Sequence, residues 1–252
     1  MIKHFATQLL RRLAGLVSAD LESRLFTHPR FVNIVNTKSL ESFDIRKFAQ
    51  IQVALESADF YNRYLYNAEY YDSYLEHLKV MASRAAKSGQ GVFLEFGVAT
   101  GTTIKIIAEA SGKPVFGFDS FQGLPEDWRY GVKRGAFAGE IPEVPKGVEL
   151  KIGLIEKTLP LFLKSMQKQE ISFIHIDTDL YAPAKLILSL CKPYMSKTII
   201  VFDEFLNYPG WRDHEYKAFA EFQSENAGVF DVKYLGLGGS VAVSVFVECK
   251  QV

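Results

Sequence analysis

A chain of 252 residues, 48% of them apolar, is long enough to bury one large core, and two small domains are also compatible with that length. Its 29 basic and 29 acidic side chains cancel, so no surface is built to neutralise a run of phosphates, and nucleic acid is not expected as a partner. A charged fraction of 23% excludes a disordered chain, and no apolar run reaches the roughly 18 residues that cross a bilayer, so no transmembrane segment is expected.

In chain order, residues 1–17 place Ile2, Phe5, Leu9, Leu13 and Leu16 on one helical face, with Lys3, Arg11 and Arg12 and no acid. This basic amphipathic helix is expected to pack on its own domain or on a sister subunit; contact with a membrane surface and a targeting role are the alternatives. It lacks the apolar centre of a secretory signal. A second helical region is expected from about Asp44 to Lys87, with a possible break near Ser57. It holds six of the twelve tyrosines: Tyr61, Tyr64, Tyr66, Tyr70, Tyr71 and Tyr74. Rings at helical spacing read first as core or interface and second as the wall of an acceptor pocket. Both helical regions together suggest a dimer or higher homo-oligomer. Gly89 and Gly91 follow the expected helix end.

From Gly91 short apolar runs alternate with helical patterns: GVFLEFGV, PVFGFDS, VELKIG, ISFIHID and TIIVFDE, each followed by a helical or loop segment. The chain closes with FDVKYLGLGG and SVAVSVFVECK, which read as a hairpin around Gly238 and Gly239. The alternation predicts an α/β fold: a doubly wound, mostly parallel, seven-stranded sheet with a C-terminal antiparallel hairpin, preceded by an α-helical N-terminal region. Cys191 and Cys249 lie in apolar stretches and read as core thiols, which fits a reducing, cytoplasmic compartment.

Ligands of such sheets bind beyond the carboxyl ends of the strands. Those ends carry Glu95, Asp119, Asp177 with Asp179, and Asp203 with Glu204. Carboxylates gathered on one edge repel one another unless a cation relieves them. The turn after the first strand has Gly97 and Gly101 but Ala99 between them, so it is not the dinucleotide fingerprint, and an NAD-dependent oxidoreductase is disfavoured. Glu95 suits a cationic group such as an α-amine. Asp119, at the end of the second strand, suits the hydroxyls of a ribose. Joined, these features point to a nucleoside cofactor without a pyrophosphate, which is S-adenosylmethionine.

LEFGVATGTT, FDSFQGLPEDW, GLIEKTLP, HIDTDLY and FDEF resemble the motif series of the macrocin O-methyltransferase family, class I enzymes that methylate sugar hydroxyls of natural products. The resemblance covers about Gly91 to Glu221. It implies a Rossmann-like methyltransferase domain over 91–252; residues 1–90, in which no motif of the family is matched, are expected from their patterning to be a helical extension supplying lid, acceptor or oligomer contacts. It also implies a cofactor site of Glu95, Gly97, Thr100, Gly101, Thr102, Asp119, Ser120 and Phe121. Members of the family hold a divalent metal, usually magnesium, and the matching positions are Asp177, Asp203 and Glu204, the last an Asp in the family pattern. Asp179 matches the proposed base. Neighbouring fourth and fifth strands would bring Asp177, Asp203 and Glu204 together as oxygen ligands suited to Mg²⁺ or Ca²⁺.

The expected activity is therefore O-methylation of a small-molecule acceptor, a sugar or other small polar metabolite, with a phenolic or catechol acceptor, or a non-catalytic binding module, as alternatives. His214 is an alternative base, and His175 either touches the cofactor or satisfies a core hydrogen bond. The segment between Ser120 and Gly147, rich in glycine and proline, reads as a lid or binding loop, with Trp128, Tyr130, Lys133 and Arg134 as candidate acceptor contacts.

Overall fold

The protein is represented by a computed structural model that describes residues 45–250 apart from Lys168. The amphipathic helix expected at residues 1–17 lies outside the described residues. The described residues divide into two compact units, 45–66 with 207–209, and 67–206 with 210–250.

In the first unit, α1 (Ile45–Phe60) runs straight through Ser57, whose hydroxyl is satisfied by donating to the Val53 carbonyl at 2.8 Å. The expected break is displaced to the end of this helix, where a π turn spans Tyr61–Leu65.

The second unit begins with β1 (Glu69–Tyr71) and α2 (Tyr74–Ser88). The tyrosine-rich run is thus split between helix, π turn and strand. What starts the new helix is Ser73, whose side chain accepts from the Glu76 backbone amide at 3.3 Å in the spacing of a capping box. β1 and α2 belong to the compact unit that holds the rest of the sheet and begins at Asn67.

The pattern read from Gly91 appears as β2 (Val92–Phe96), α3 (Thr102–Ser111), β3 (Val115–Asp119), β4 (Val148–Ile152), α4 (Ile155–Ser165), β5 (Ile171–Ile176), α5 (Tyr181–Cys191), β6 (Met195–Phe202), α6 (Glu215–Glu225), β7 (Phe230–Gly238) and β8 (Ala242–Cys249). Among the described residues the sheet has eight strands in the order β1-β7-β8-β6-β5-β2-β3-β4, with β8 antiparallel to both neighbours. The eighth strand is β1, three residues paired parallel to β7, too short and too exposed to leave an alternating pattern. β2 and β5 are buried at every position, as central parallel strands covered on both faces must be.

Alternate side chains of these strands serve two cores. Phe93, Phe173, Ile199 and Val201 pack with Leu78, Met81 and Ala85 of α2 and Ile104 and Ile107 of α3. Their neighbours in the pleat turn the other way: Phe118 meets Phe162 of α4, and Phe202 meets Phe219 of α6, with ring centroids 5.3 and 5.2 Å apart. Chain direction reverses its march across the sheet at β2, since β3 and β4 lie to one side and β5 and β6 to the other. The crevice at that reversal is the place where such sheets bind ligands. Cys191 is buried as expected, but Cys249 is exposed because it ends β8 beyond the reach of the core.

Candidate active site

Two turns meet at the carboxyl ends of β2 and β5. Gly97 has φ +90°, and a Cβ there would lie 1.8 Å from the Asp177 carbonyl oxygen. Only glycine lets these turns pass so closely. Asp119, at the end of β3, braces the same turn: its Oδ2 accepts from the Val98 and Ala99 amides at 2.8 Å, and its Oδ1 accepts from the Phe121 amide at 2.7 Å. Three bonds leave about one of a carboxylate's roughly four lone-pair positions for a ligand.

A cavity of about 750 Å³ opens beside this turn. It is lined by Gly97, Ala99, Asp119 and Ser120, by Gly153, Leu154, Ile155 and Glu156 after β4, and by Asp177, Asp179, Asp203 and Glu204. Leu124, Pro125, Trp128, Arg129 and Phe137 of the long loop, and Ala182, Pro183 and Leu186 of α5, complete the wall. Of the expected cofactor residues, Gly97, Asp119 and Ser120 line the cavity. Gly101, at φ +78°, is the N-cap of α3, and the Thr100 and Thr102 hydroxyls face each other at 3.1 Å near it. Phe121 contributes its backbone amide to Asp119, while its ring joins the core. Glu95 is fully buried, its Oε1 lying 2.8 Å from His175 Nδ1, so it reaches the core imidazole and not the cavity.

Pairing of Ile176 with Phe202 sets the two acidic strand ends side by side. Burial, then the charges of Asp203, Asp179, Glu215 and Glu95, push the Asp177 carboxyl well above its ordinary range. Asp179 has φ +62°, a left-handed conformation uncommon outside glycine though better tolerated by Asp and Asn than by most residues, and it lines the cavity. Burial, followed by Glu204 and Asp203, raises its pKa to about 7, against the smaller opposing pull of Arg129. Glu204 is engaged differently from Asp203: its two oxygens each meet a terminal nitrogen of Arg129 at 3.4 Å. The guanidinium also lies 4.0 Å from the Trp128 ring centroid.

Glu215 opens α6 and is fully buried beneath these turns. Its Oε1 accepts from the Thr178 amide at 3.2 Å, and its carboxyl also takes a backbone hydrogen bond from Glu204, so one side chain ties both acidic strand ends. Among the described residues, the ligating atoms of His175, Asp177 and Asp203 lie within 4.8 Å of one another.

The outlying candidates fall elsewhere. His214 occupies the N-cap position of α6, edge-on to Trp128 with centroids 6.4 Å apart, and is not part of the cavity wall. Burial lowers its pKa. Tyr130 is fully exposed, Lys133 pairs with Asp127 at 2.7 Å, and the Arg134 amide donates to the same carboxylate.

The fold is shared with a calicheamicin methyltransferase. One crystal structure of that enzyme is 21% identical, with a TM-score of 0.56, over 94% of this chain and 91% of its own. A second, described as an apo TDP-rhamnose 3'-O-methyltransferase, is 24% identical with a TM-score of 0.50, over 68% and 76%. No protein-family model matches the chain, and neither does any curated protein.

Sequence reasoning missed two polar residues of this site, Arg129 and Glu215, and did not single out a third, Tyr74, from the six tyrosines it named. Arg129 is one position beyond Trp128 in a loop without periodicity, Glu215 reads as an ordinary first-turn acid of a helix, and Tyr74 is hidden among five other tyrosines. The 2.8 Å contact of Tyr74 with His175 spans 101 residues of sequence and leaves no local trace.

Proposed function

We propose that this chain is an S-adenosylmethionine-dependent O-methyltransferase that methylates a hydroxyl of a sugar or another small polar metabolite. One observation carries the reading: a single cavity joins the glycine turn and Asp119 to an acid, Asp179, whose pKa is raised to about 7. A base poised near neutrality is ionised in a useful fraction and still has a strong pull on a proton. The resemblance of fold to a TDP-rhamnose 3'-O-methyltransferase supports a sugar acceptor over a catechol.

The residues present fit the cofactor. Gly97 and Ala99 bring backbone to the cavity edge, Asp119 keeps an acceptor position for a ribose hydroxyl, and Leu154 and Ile155 supply apolar surface for a base. When bound, S-adenosylmethionine supplies an electrophilic methyl group on a sulfonium. Asp179 takes the proton of the acceptor hydroxyl. Leu124, Pro125, Trp128 and Phe137 form the apolar wall that keeps water from the reacting atoms. Holding the reactants aligned contributes on the order of 7–11 kcal/mol in well-oriented cases.

The acids also fit a divalent cation such as Mg²⁺. Asp177 and Asp203 present hard oxygens at close range, and the mutual repulsion that raises Asp177 is the strain a cation relieves. Glu204 is held by Arg129, which leaves Asp177 and Asp203 as the principal ligands. A metal there would lower the pKa of an acceptor hydroxyl. His214, away from the cavity wall, is the weaker candidate for the base.

The test is direct. Isothermal titration should detect S-adenosylhomocysteine, and a labelled methyl group should pass to a sugar hydroxyl in preference to a catechol. Absence of cofactor binding would falsify the reading.

A further inference from the structure

Tyr74 is the first residue of α2, and its phenol oxygen lies 2.8 Å from His175 Nε2. Across the imidazole, Nδ1 lies 2.8 Å from Glu95 Oε1, and both of these side chains are fully buried. The same phenol lies beside the Asp203 side chain, which lines the cavity: burial, then the Asp203 carboxylate, raise its pKa. Glu95, His175, Tyr74 and Asp203 thus form one line of contacts from the middle of the sheet to the cavity wall.

The spacing of His175, Asp177 and Asp203 alone suggests three ligands for one ion. His175 is a poor third ligand, because both of its nitrogens already have partners. A phenol has one proton to give and lone pairs to receive another. If its proton goes to Asp203, its oxygen accepts from Nε2–H, and Nδ1 accepts from the protonated form of Glu95, which burial favours. That order gives each contact along the line one donor and one acceptor.

We propose that Tyr74 is a positioning residue that fixes the Asp203 carboxylate for a divalent cation, while Glu95 and His175 hold the phenol from behind. The proposal rests on the metal-assisted reading above and adds to it a residue that touches neither cofactor nor acceptor. Partners of this outer kind typically change metal affinity by about 10–100-fold.

Tyr74→Phe removes one oxygen and keeps the ring. Mn²⁺ binding, followed by electron paramagnetic resonance, is compared with S-adenosylhomocysteine binding, followed by titration calorimetry on the same protein. The expected result is a Mn²⁺ dissociation constant about 10–100-fold higher, with that of S-adenosylhomocysteine within about twofold of wild type. Unchanged Mn²⁺ affinity, or an equal loss for both ligands, overturns the proposal, as does a wild-type protein that binds no Mn²⁺. Failure of the wild type to bind S-adenosylhomocysteine overturns the methyltransferase reading instead and leaves the Mn²⁺ comparison to decide this one. Should Tyr74→Phe not fold, Glu95→Leu, which removes the acid and keeps the bulk, carries the same pair of measurements from the far end of the line, with the same selective loss expected.

Discussion

Asp179 concentrates the chemistry of the site in one side chain. Its carboxyl is raised to about 7 by burial and by Glu204 and Asp203, so the base form is lost as pH falls through that value. Activity measured as kcat/KM should therefore rise with pH and level off above about 7. Asp179→Asn should lower kcat by about 10²–10⁴-fold and abolish the limb near 7, with S-adenosylhomocysteine affinity retained; an unchanged pH profile would assign the limb to another group. The positions of Asp119, Asp177, Asp179 and Asp203 were legible in the sequence, because a strand end is a local feature and an acid following an apolar run marks it. Arg129 and Tyr74 were not, since each meets its partner through folding across 75 and 101 residues. Glu95 shows the converse: its place at a strand end was correct, but the imidazole that claims its Oε1 comes from the neighbouring strand.

Among the elements, the turns after β2 and β5 are the most tightly constrained. Gly97→Ala would drive a methyl group into the Asp177 carbonyl, at a backbone angle that L side chains rarely adopt. Since a clash between two backbones is not relieved by a rotamer change, the loss should exceed about 3 kcal/mol, a large share of the 5–15 kcal/mol typical of a domain. Chemical denaturation should show it, and a variant as stable as wild type would mean the turns separate easily. The parallel strands, their order of appearance and the closing hairpin were readable because burial on both faces leaves continuous apolar runs. The tyrosine-rich region was not. Its aromatic spacing imitates one long helix, while the features that divide it are a π turn, a three-residue strand and a serine cap.

At the scale of the whole chain, a balance of 29 basic and 29 acidic residues conceals an uneven distribution. Asp119, Glu156, Asp177, Asp179, Asp203 and Glu204 all line the one cavity, with Arg129 as the basic residue among its described lining. Asp177, Asp179, Glu204 and Glu215 all have their pKa values raised, chiefly by burial. A folded state with raised carboxyl pKa values binds protons more tightly than the unfolded chain. The stability that these four groups contribute is therefore fully present below the ordinary carboxylate range. It falls as pH rises, and the contribution of Asp179 disappears through about 7. In metal-free protein, Tm should drop by several degrees between about pH 6 and 8, and Asp179→Asn should flatten that slope. Mg²⁺ should restore more Tm at pH 8 than at pH 6, because it binds the ionised acids and at the lower pH must displace their protons. Equal Mg²⁺ effects at the two pH values would mean that the ion stabilises the chain through some surface other than the carboxylates of the cavity.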